Sequence, residues 1–576
     1  MPVSSLVYFT RRLAPTLVNV VDLKIFENTN STTLAQGLSF QPGVRVESNC
    51  QNCGFQQVRI NGLDGPYTQI LLDSRPIFSA LSGVYGIEQI PASMIERVEV
   101  MRGGGSALFG SSAIAGTINI ITKEPMRNSG MLSHTITGIG DGDVFDNSTA
   151  LNASLVTDDQ RAGLYIFGQN RHRSAYDHDG DGYSEIPKLH GQTIGFRSFL
   201  KTTTYSKLTF EYHHMEEFRR GGDLLNRPPH EANVAEQTEH SINGGGLKFD
   251  YFSPNENHRF NVFASAQHIN RDSYYGPGDR DPLDAYGNTT DLNWMAGSQY
   301  VYSFGKCIFM PSDLTAGIEF NQDKLEDNMW GYNRTVDQKV NIGSAFLQNE
   351  WKNDHWGFLI GGRLDKHNLI DHVIFSPRAN LRYNPTENIN LRFSYSSGFR
   401  APQAFDEDLH VENVGGNVAM VELADNLKEE RSQSLSASAD IYHRFGAFQV
   451  NFLVEGFYTK LSDVFALTDG EVVDGILTRT RHNASGAQVL GLTLEGKMAY
   501  LNKIQVQAGV TLQQSHYSKP HIWNKEAPAV KKMMRTPNTY GYFTATYTPI
   551  KPLSIALSGT YTGSMLGSPR AGSGIP

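Results

Sequence analysis

The chain has 576 residues, of which 39% are hydrophobic and 11% aromatic, with 55 glycines and a formal net charge of −9. No apolar run approaches the roughly 18 residues of a membrane-crossing helix, and the acidic balance, with a pI near 6.1, argues against a nucleic-acid binder, which carries a basic face. A mean hydropathy of −0.37 suits a water-soluble protein, and equally a transmembrane β-barrel, which offers only alternate residues to lipid and keeps its lumen polar. Three cysteines, Cys50, Cys53 and Cys307, are too few for a disulfide-framed secreted domain and leave the compartment open.

The first residues, MPVSSLVYFTRRLAP, lack the basic start, apolar core and small-residue cleavage site of a signal peptide. Residues 1–17 therefore read as an atypical N-terminus, and an exported protein would be expected to be a fragment or a mature form. Residues 32–38 form a predicted short helix capped by Asn30 or Ser31, Pro42-Gly43 turns the chain, and residues 44–47 alternate like a strand. Asn49-Cys50-Gln51-Asn52-Cys53-Gly54 is a loop. Strands are predicted at 58–62 and 69–73, with Asp64-Gly65-Pro66 as the turn between them.

Residues 95–124 read IERVEVMRGGGSALFGSSAIAGTINIITKE. A strand of alternating character leads into a loop with five glycines between 103 and 116, followed by an apolar strand run. A phosphate cradle is a weak reading: there is no GxGxxG register, no Lys-Ser/Thr pair, and a strand follows where a helix is needed. The stretch closely resembles the end of the plug domain of TonB-dependent outer-membrane receptors, patterned IE-x-VEV-x-RG, then SALYG, then GG-x-INIIT. The matches are Ile95-Glu96, Val98-Glu99-Val100, Arg102-Gly103, Ser106 through Gly110, and Gly116 through Thr122; Gly104 and Phe109 depart from the usual proline and tyrosine. The Pro42-Gly43-Val44, Asn61-Gly62 and 69–73 segments fit the same plug, so the resemblance covers roughly residues 18–126. No TonB box is identifiable upstream.

Beyond Pro125, polar and apolar residues alternate in segments of about ten, as in outer-membrane strands. Leu208, Phe210 and Tyr212 alternate with Thr209, Glu211 and His213; Leu391, Phe393 and Tyr395 alternate with Arg392, Ser394 and Ser396; the run 504–513 behaves likewise. Short connections at 158–161 and 502–503 contrast with long ones at 173–192, 215–241 and 402–430, the asymmetry of periplasmic turns and extracellular loops. A propeller would show a repeat of roughly 40–50 residues, and none is present. The expected fold is mainly β: a transmembrane antiparallel β-barrel over residues 127–576, nominally of about 22 strands, with a small α+β plug at 18–126 in its lumen. Roughly 19 or 20 candidate strands are visible and the chain ends in LGSPRAGSGIP, so the reading expects the C-terminal strands to be missing.

The resemblance implies that Arg97 and Arg102, with Glu96 and Glu99, hold the plug through ion pairs to the barrel; the alternative is a solvated charged strand. Cys50 and Cys53 lie in a loop which in the family faces the external ligand, and could close a disulfide, contact a soft metal or cargo, or stay free. Asp177, Asp179 and Asp181, with Tyr183 and Glu185, match the front of a calcium loop, oxygens at the first, third and fifth positions and Gly182 at the sixth, although Lys188 stands where the closing glutamate belongs. Calcium in an extracellular loop is weighed there against a merely solvated acidic loop. Phe399-Arg400-Ala401-Pro402, His410 and Asn426-Leu427 resemble the FRAP and NPxL boxes of haem-type receptors with a histidine between them, which implies His410 as an axial iron ligand. The NPxL proline is Asp425 here, and a loop histidine is usually only that. His213 and His214 fall on opposite strand faces and form an ordinary polar rim.

No G-x-S-x-G elbow, HExxH or nucleotide fingerprint supports an enzyme. The expectation is an active transporter in the outer membrane of a Gram-negative bacterium, driven by the TonB complex of the inner membrane. It would take a small-molecule or metal-complex ligand, most readily an iron complex (siderophore or haem), and need no obligatory cofactor, haem being only cargo. Its further expected partners are outer-membrane lipid and a surface lipoprotein, with no nucleic acid. Corrinoid or copper uptake by the same machine is the alternative, and a surface adhesin or passive porin the rival class.

Overall fold

The computed structural model describes residues 14–48, 54, 56–76, 87–88, 90–103, 110, 113–276, 282–414, 417–473, 476–501, 503–522 and 528–567. The plug begins with strand β1 (Val18–Asp22) and helix α1 (Leu23–Asn28), an element with no sequence signal beyond Asp22, whose carboxylate accepts from the Ile25 N–H at 3.2 Å. Helix α2 (Leu34–Leu38) starts later than the sequence suggests, because the Gln36 side chain reaches back to the N–H groups of Thr32 and Thr33 at 2.7 and 3.3 Å. Strands β2 (Val44–Ser48) and β3 (Gln56–Ile60) make a hairpin; β4 (Thr68–Leu72), β5 (Arg75–Pro76), β6 (Ile95–Arg102) and β7 (Gly116–Thr122) join β1 in a five-stranded sheet ordered β1-β6-β7-β4-β5.

Within that sheet only β4 and β7 run parallel, and Gly116 is required where they meet β6, since a Cβ there would stand 2.4 Å from the Met101 carbonyl oxygen. Val21, Phe26, Leu34, Leu38, Ile60, Val98, Ile118 and Ile120 close the plug core, each worth roughly 1.5–3 kcal/mol of burial. β7 ends at Thr122, and the first barrel strand is Ser129–Ile139.

Among the described residues twenty strands form the antiparallel barrel, in line with the count read from the sequence and short of the family's nominal number. One is a short piece, Val530–Lys532, beside Ile504–His521, which also pairs directly with Thr539–Ile550. Leu553–Thr562 and Ser129–Ile139 are the strands at the seam, exposed along most of both faces, with no ladder between them among the described residues. Elsewhere the alternation is clean: Phe210 and Tyr212 face out while Thr209, Glu211 and His213 are buried toward the lumen. His213 and His214 therefore diverge, His214 meeting Asn243 at 3.0 Å on the outside.

The long connections are shorter than the sequence suggests. Strand Ser206–Gly222 continues past Met215 and the next begins at Ala235, so residues 215–222 and 235–241 are ladder rather than loop. These strand ends rise above the lipid, where both faces can be polar and the alternating signal fades. Over the lumen, Glu412–Val414, Asn417–Leu423, Phe465–Val473 and Ile476–Asn483 form a separate four-stranded sheet, a roof built from two loops on the side of the long connections.

Candidate functional site

The plug is held by buried charge. Glu88, at the plug end nearest the long loops, makes an ion pair with Arg219 at 2.6 Å and lies 3.8 Å from both Arg171 and Arg173. Each barrel guanidinium is oriented in turn: Arg219 is bidentate to Glu217 at 2.6 and 3.0 Å, and Arg171 grips Asp146 at 2.6 Å. Burial drives the Glu88 carboxyl upward, but the three arginines outweigh it and hold the group below its ordinary 4.5.

Midway down, Arg102 pairs with Glu455 at 2.5 Å, both buried, and donates to the Pro42 carbonyl. The adjoining turn is gripped by the barrel: the Gly43 N–H donates to Thr511 Oγ1 at 3.2 Å and the Gly43 carbonyl accepts from Tyr540 at 3.2 Å. Gly43 has φ +72° and packs on Arg102, so a side chain there would be strained and crowded. Nearer the short turns, Asp73 pairs with Arg197, Arg75 with Glu211, and Arg197 also donates to Thr122 Oγ1. A polar cavity of about 160 Å³, lined among others by Asp73, Arg75, Arg197 and Glu211, lies at this contact.

Of the four expected plug–barrel residues, Arg102 alone spans the interface. Arg97 and Glu99 pair with each other at 2.8 Å along β6, Glu99 also accepts from Asn119 at 3.2 Å, and Glu96 is exposed. A register shift between Ile95 and Arg97 leaves Glu96 out of the β6–β7 ladder, and Arg97 and Glu99, two residues apart on one face, are close enough to satisfy each other. Asp73, Arg75 and Glu88 carry further plug–barrel ion pairs; no local motif marks them, since their partners stand far away in sequence.

The ligand candidates separate. Phe399 and Arg400 point to opposite faces of strand Ile389–Arg400: Phe399 is wholly buried with Ile370, Ile374 and Ala401, away from the lumen. The Arg400 guanidinium lies 5.5 Å from the Tyr67 ring of the plug and 4.4 and 5.2 Å from the Phe405 and Phe465 rings of the roof loops. His410 Nε2 is 3.8 Å from Glu236, and its ring stands edge-on to Tyr275 at 4.9 Å. Asn426 is exposed in a turn closed by the Leu427 N–H donating to the Ala424 carbonyl at 3.0 Å. Cys50 and Cys53 lie outside the described residues. Their neighbour Gly54 is buried at the plug's outer end, its carbonyl accepting from Arg219 at 3.2 Å.

In the loop following strand Ala162–Arg173, carboxylate oxygens of Asp177, Asp179 and Glu185 lie within 4.8 Å of one another, the one such group among the described residues. Asp177 accepts from the Gly180 and Gly182 N–H groups at 2.8 and 2.9 Å, which folds the loop. Asp181 instead accepts from the Tyr183 N–H at 2.8 Å and stands outside the trio.

The family model described as TonB dependent receptor-like, beta-barrel, matches residues 130–573, and the TonB-dependent Receptor Plug Domain matches residues 10–117. The chain belongs to the TonB-dependent receptors. It is 26% identical over 429 residues to the iron-regulated outer membrane virulence protein of Vibrio cholerae, covering 70% of this chain and 60% of that one. It is 23% identical over 400 residues to the vitamin B12 transporter BtuB of Vibrio vulnificus, covering 67% and 60%. The receptor thus spans about 60% of the length of these curated relatives. Among solved structures, the siderophore receptor PirA from Acinetobacter baumannii superposes with a TM-score of 0.74 at 17% identity, over 94% of this chain and 85% of that one. The receptor is a protein of the outer membrane, as its family is.

Proposed function

We propose that this receptor takes up an iron chelate, a siderophore complex before haem, across the outer membrane by energy-dependent movement of the plug. The observation that carries the reading is a plug seated in the lumen by buried ion pairs at three levels, Glu88–Arg219, Arg102–Glu455 and Asp73–Arg197. A passive pore gains nothing from such a stopper, and displacing it needs work, which the TonB complex of the inner membrane would supply. An adhesin has no use for the path at all. The iron-regulated and siderophore-receptor relatives favour iron as cargo. The relation to a vitamin B12 transporter keeps corrinoid uptake as the second reading.

The chamber chemistry fits a polar chelate. Arg171, Arg219, Arg271 and Arg400 are buried on the lumen face near the outer strand ends, and Tyr275 and His410 stand beneath the roof. Haem ligation by His410 would require its imidazole to turn from Glu236. Growth of a deletion strain carrying this receptor on single sources of ferric siderophore, haem, corrinoid or copper tests the reading. Rescue by ferric siderophores is expected; rescue by corrinoid alone would replace iron, and rescue by none would remove the metal-nutrient reading. The Asp177, Asp179 and Glu185 trio would take calcium as a loop-ordering ion. Millimolar calcium should then slow proteolysis within residues 174–187, and Asp177→Asn should abolish that protection.

A further inference from the structure

Three parts of the receptor meet at one guanidinium. Arg400 ends a barrel strand; Tyr67 belongs to the plug; Phe405 and Phe465 come from the two loops that build the roof. The same three parts meet at one carboxylate. Glu430, first residue of strand Glu430–Phe445 and 3.8 Å from Arg400, accepts from the Tyr67 hydroxyl at 2.9 Å and from the Phe465 backbone N–H through the same oxygen.

The two roof loops are themselves joined, by the parallel pairing of Asn417–Leu423 with Ile476–Asn483 and by the Arg481–Asp408 ion pair. From there the roof reaches the opposite wall, where Val411 and Met420 pack with Tyr275, Met329 and Tyr332. A roof that lifts from the far wall must shift Phe405 and Phe465. Arg400 and Glu430 would then re-form around Tyr67 alone, or lose it.

We propose that Arg400 and Glu430 are positioning residues that make the roof and the plug one coupled unit, with the Tyr67 hydroxyl as the plug's end of the joint. Roof position and plug order are then linked by one free energy, and the link is reciprocal: loosening either end loosens the other. The joint is independent of the identity of the cargo and of how transport is energised, so its failure leaves the transport reading intact, and the reverse also holds.

Hydrogen–deuterium exchange of the full chain in detergent micelles, with no cargo, tests this. Tyr67→Phe removes one plug hydroxyl and keeps the ring; Phe465→Leu changes only the roof. Tyr67→Phe should speed exchange in roof strands 417–423 and 476–483 by roughly fivefold or more, and Phe465→Leu should do the same at plug residues 65–72. Arg400→Lys, which keeps the charge but loses the flat stacking surface, should loosen both segments together. Intact barrels are verified by unchanged exchange in residues 244–252 of strand Ala235–Phe252, below the roof contact. If each of the first two variants affects only its own segment, or if Arg400→Lys leaves either segment as protected as before, the joint does not exist.

Discussion

The plug meets the barrel differently at its two ends. Toward the long loops, Glu88 and Arg219 are buried with only about 20 Å³ of cavity beside them, and three charged partners, Arg171, Arg173 and Glu217, crowd the pair. Toward the short turns, Asp73, Arg75, Arg197 and Glu211 surround about 160 Å³, and Arg75 Nε and Nη1 and Arg197 Nε have no hydrogen-bond partner among the described residues. A polar cavity of that size with free donors is room for several waters. The outer contact is therefore a dry lock and the inner one a wet seam. Breaking a dry ion pair leaves a charge stranded in low dielectric, whereas water can replace a partner at a wet one. A plug pulled from the inner side would yield first where there is room for water to replace a lost partner.

Substitutions can break or sharpen that contrast. Glu88→Ala should have the largest effect, about 3–5 kcal/mol of plug seating, because three guanidiniums lose a shared carboxylate. It should appear as leakage of large antibiotics and as proteolysis of the plug in an intact barrel. Because the Glu88 carboxyl is held below 4.5, its contribution is complete above pH 4.5 and fades as pH falls through the lower folded-state value.

Arg102→Ala comes next, about 3 kcal/mol, since Glu455 would be left buried without its cation. Unchanged leakage and transport in that variant would contradict the pair's role. Arg197→Ala should cost only about 1–2 kcal/mol if the seam is wet, because water can satisfy Asp73 and Glu211; a loss equal to that of Glu88→Ala would erase the distinction. Arg97→Ala should be smallest, within about 1 kcal/mol, since its pair with Glu99 is partly exposed and lies inside the plug. Thermal unfolding of the plug, followed by exchange or proteolysis, ranks all four.

How much was legible in the sequence follows from the range of each interaction. The β6–loop–β7 stretch declares the plug because its constraints are local: alternating strand residues, glycines where backbone meets backbone, then a buried run. The barrel is legible where lipid lies on one side and water on the other, as in residues 206–213, and fades above the membrane, as in residues 215–222. Arg102 was readable from its motif, but nothing near Glu88 announces Arg219, since that pairing exists only after the barrel wraps the plug. Phe399 and Arg400 illustrate a different limit: a contiguous motif suggests one site, but strand alternation sends adjacent side chains to opposite faces.

The proposed activity is an energised uptake of iron chelate past a charge-locked plug. Its most direct test is accumulation of radioactive iron, supplied as ferric catecholate and ferric hydroxamate siderophores, in cells with this receptor as their only route, before and after a protonophore collapses the inner-membrane gradient. The account predicts saturable accumulation from at least one chelate that stops when the gradient is lost. Accumulation that continues without the gradient, or none from either chelate, would contradict it.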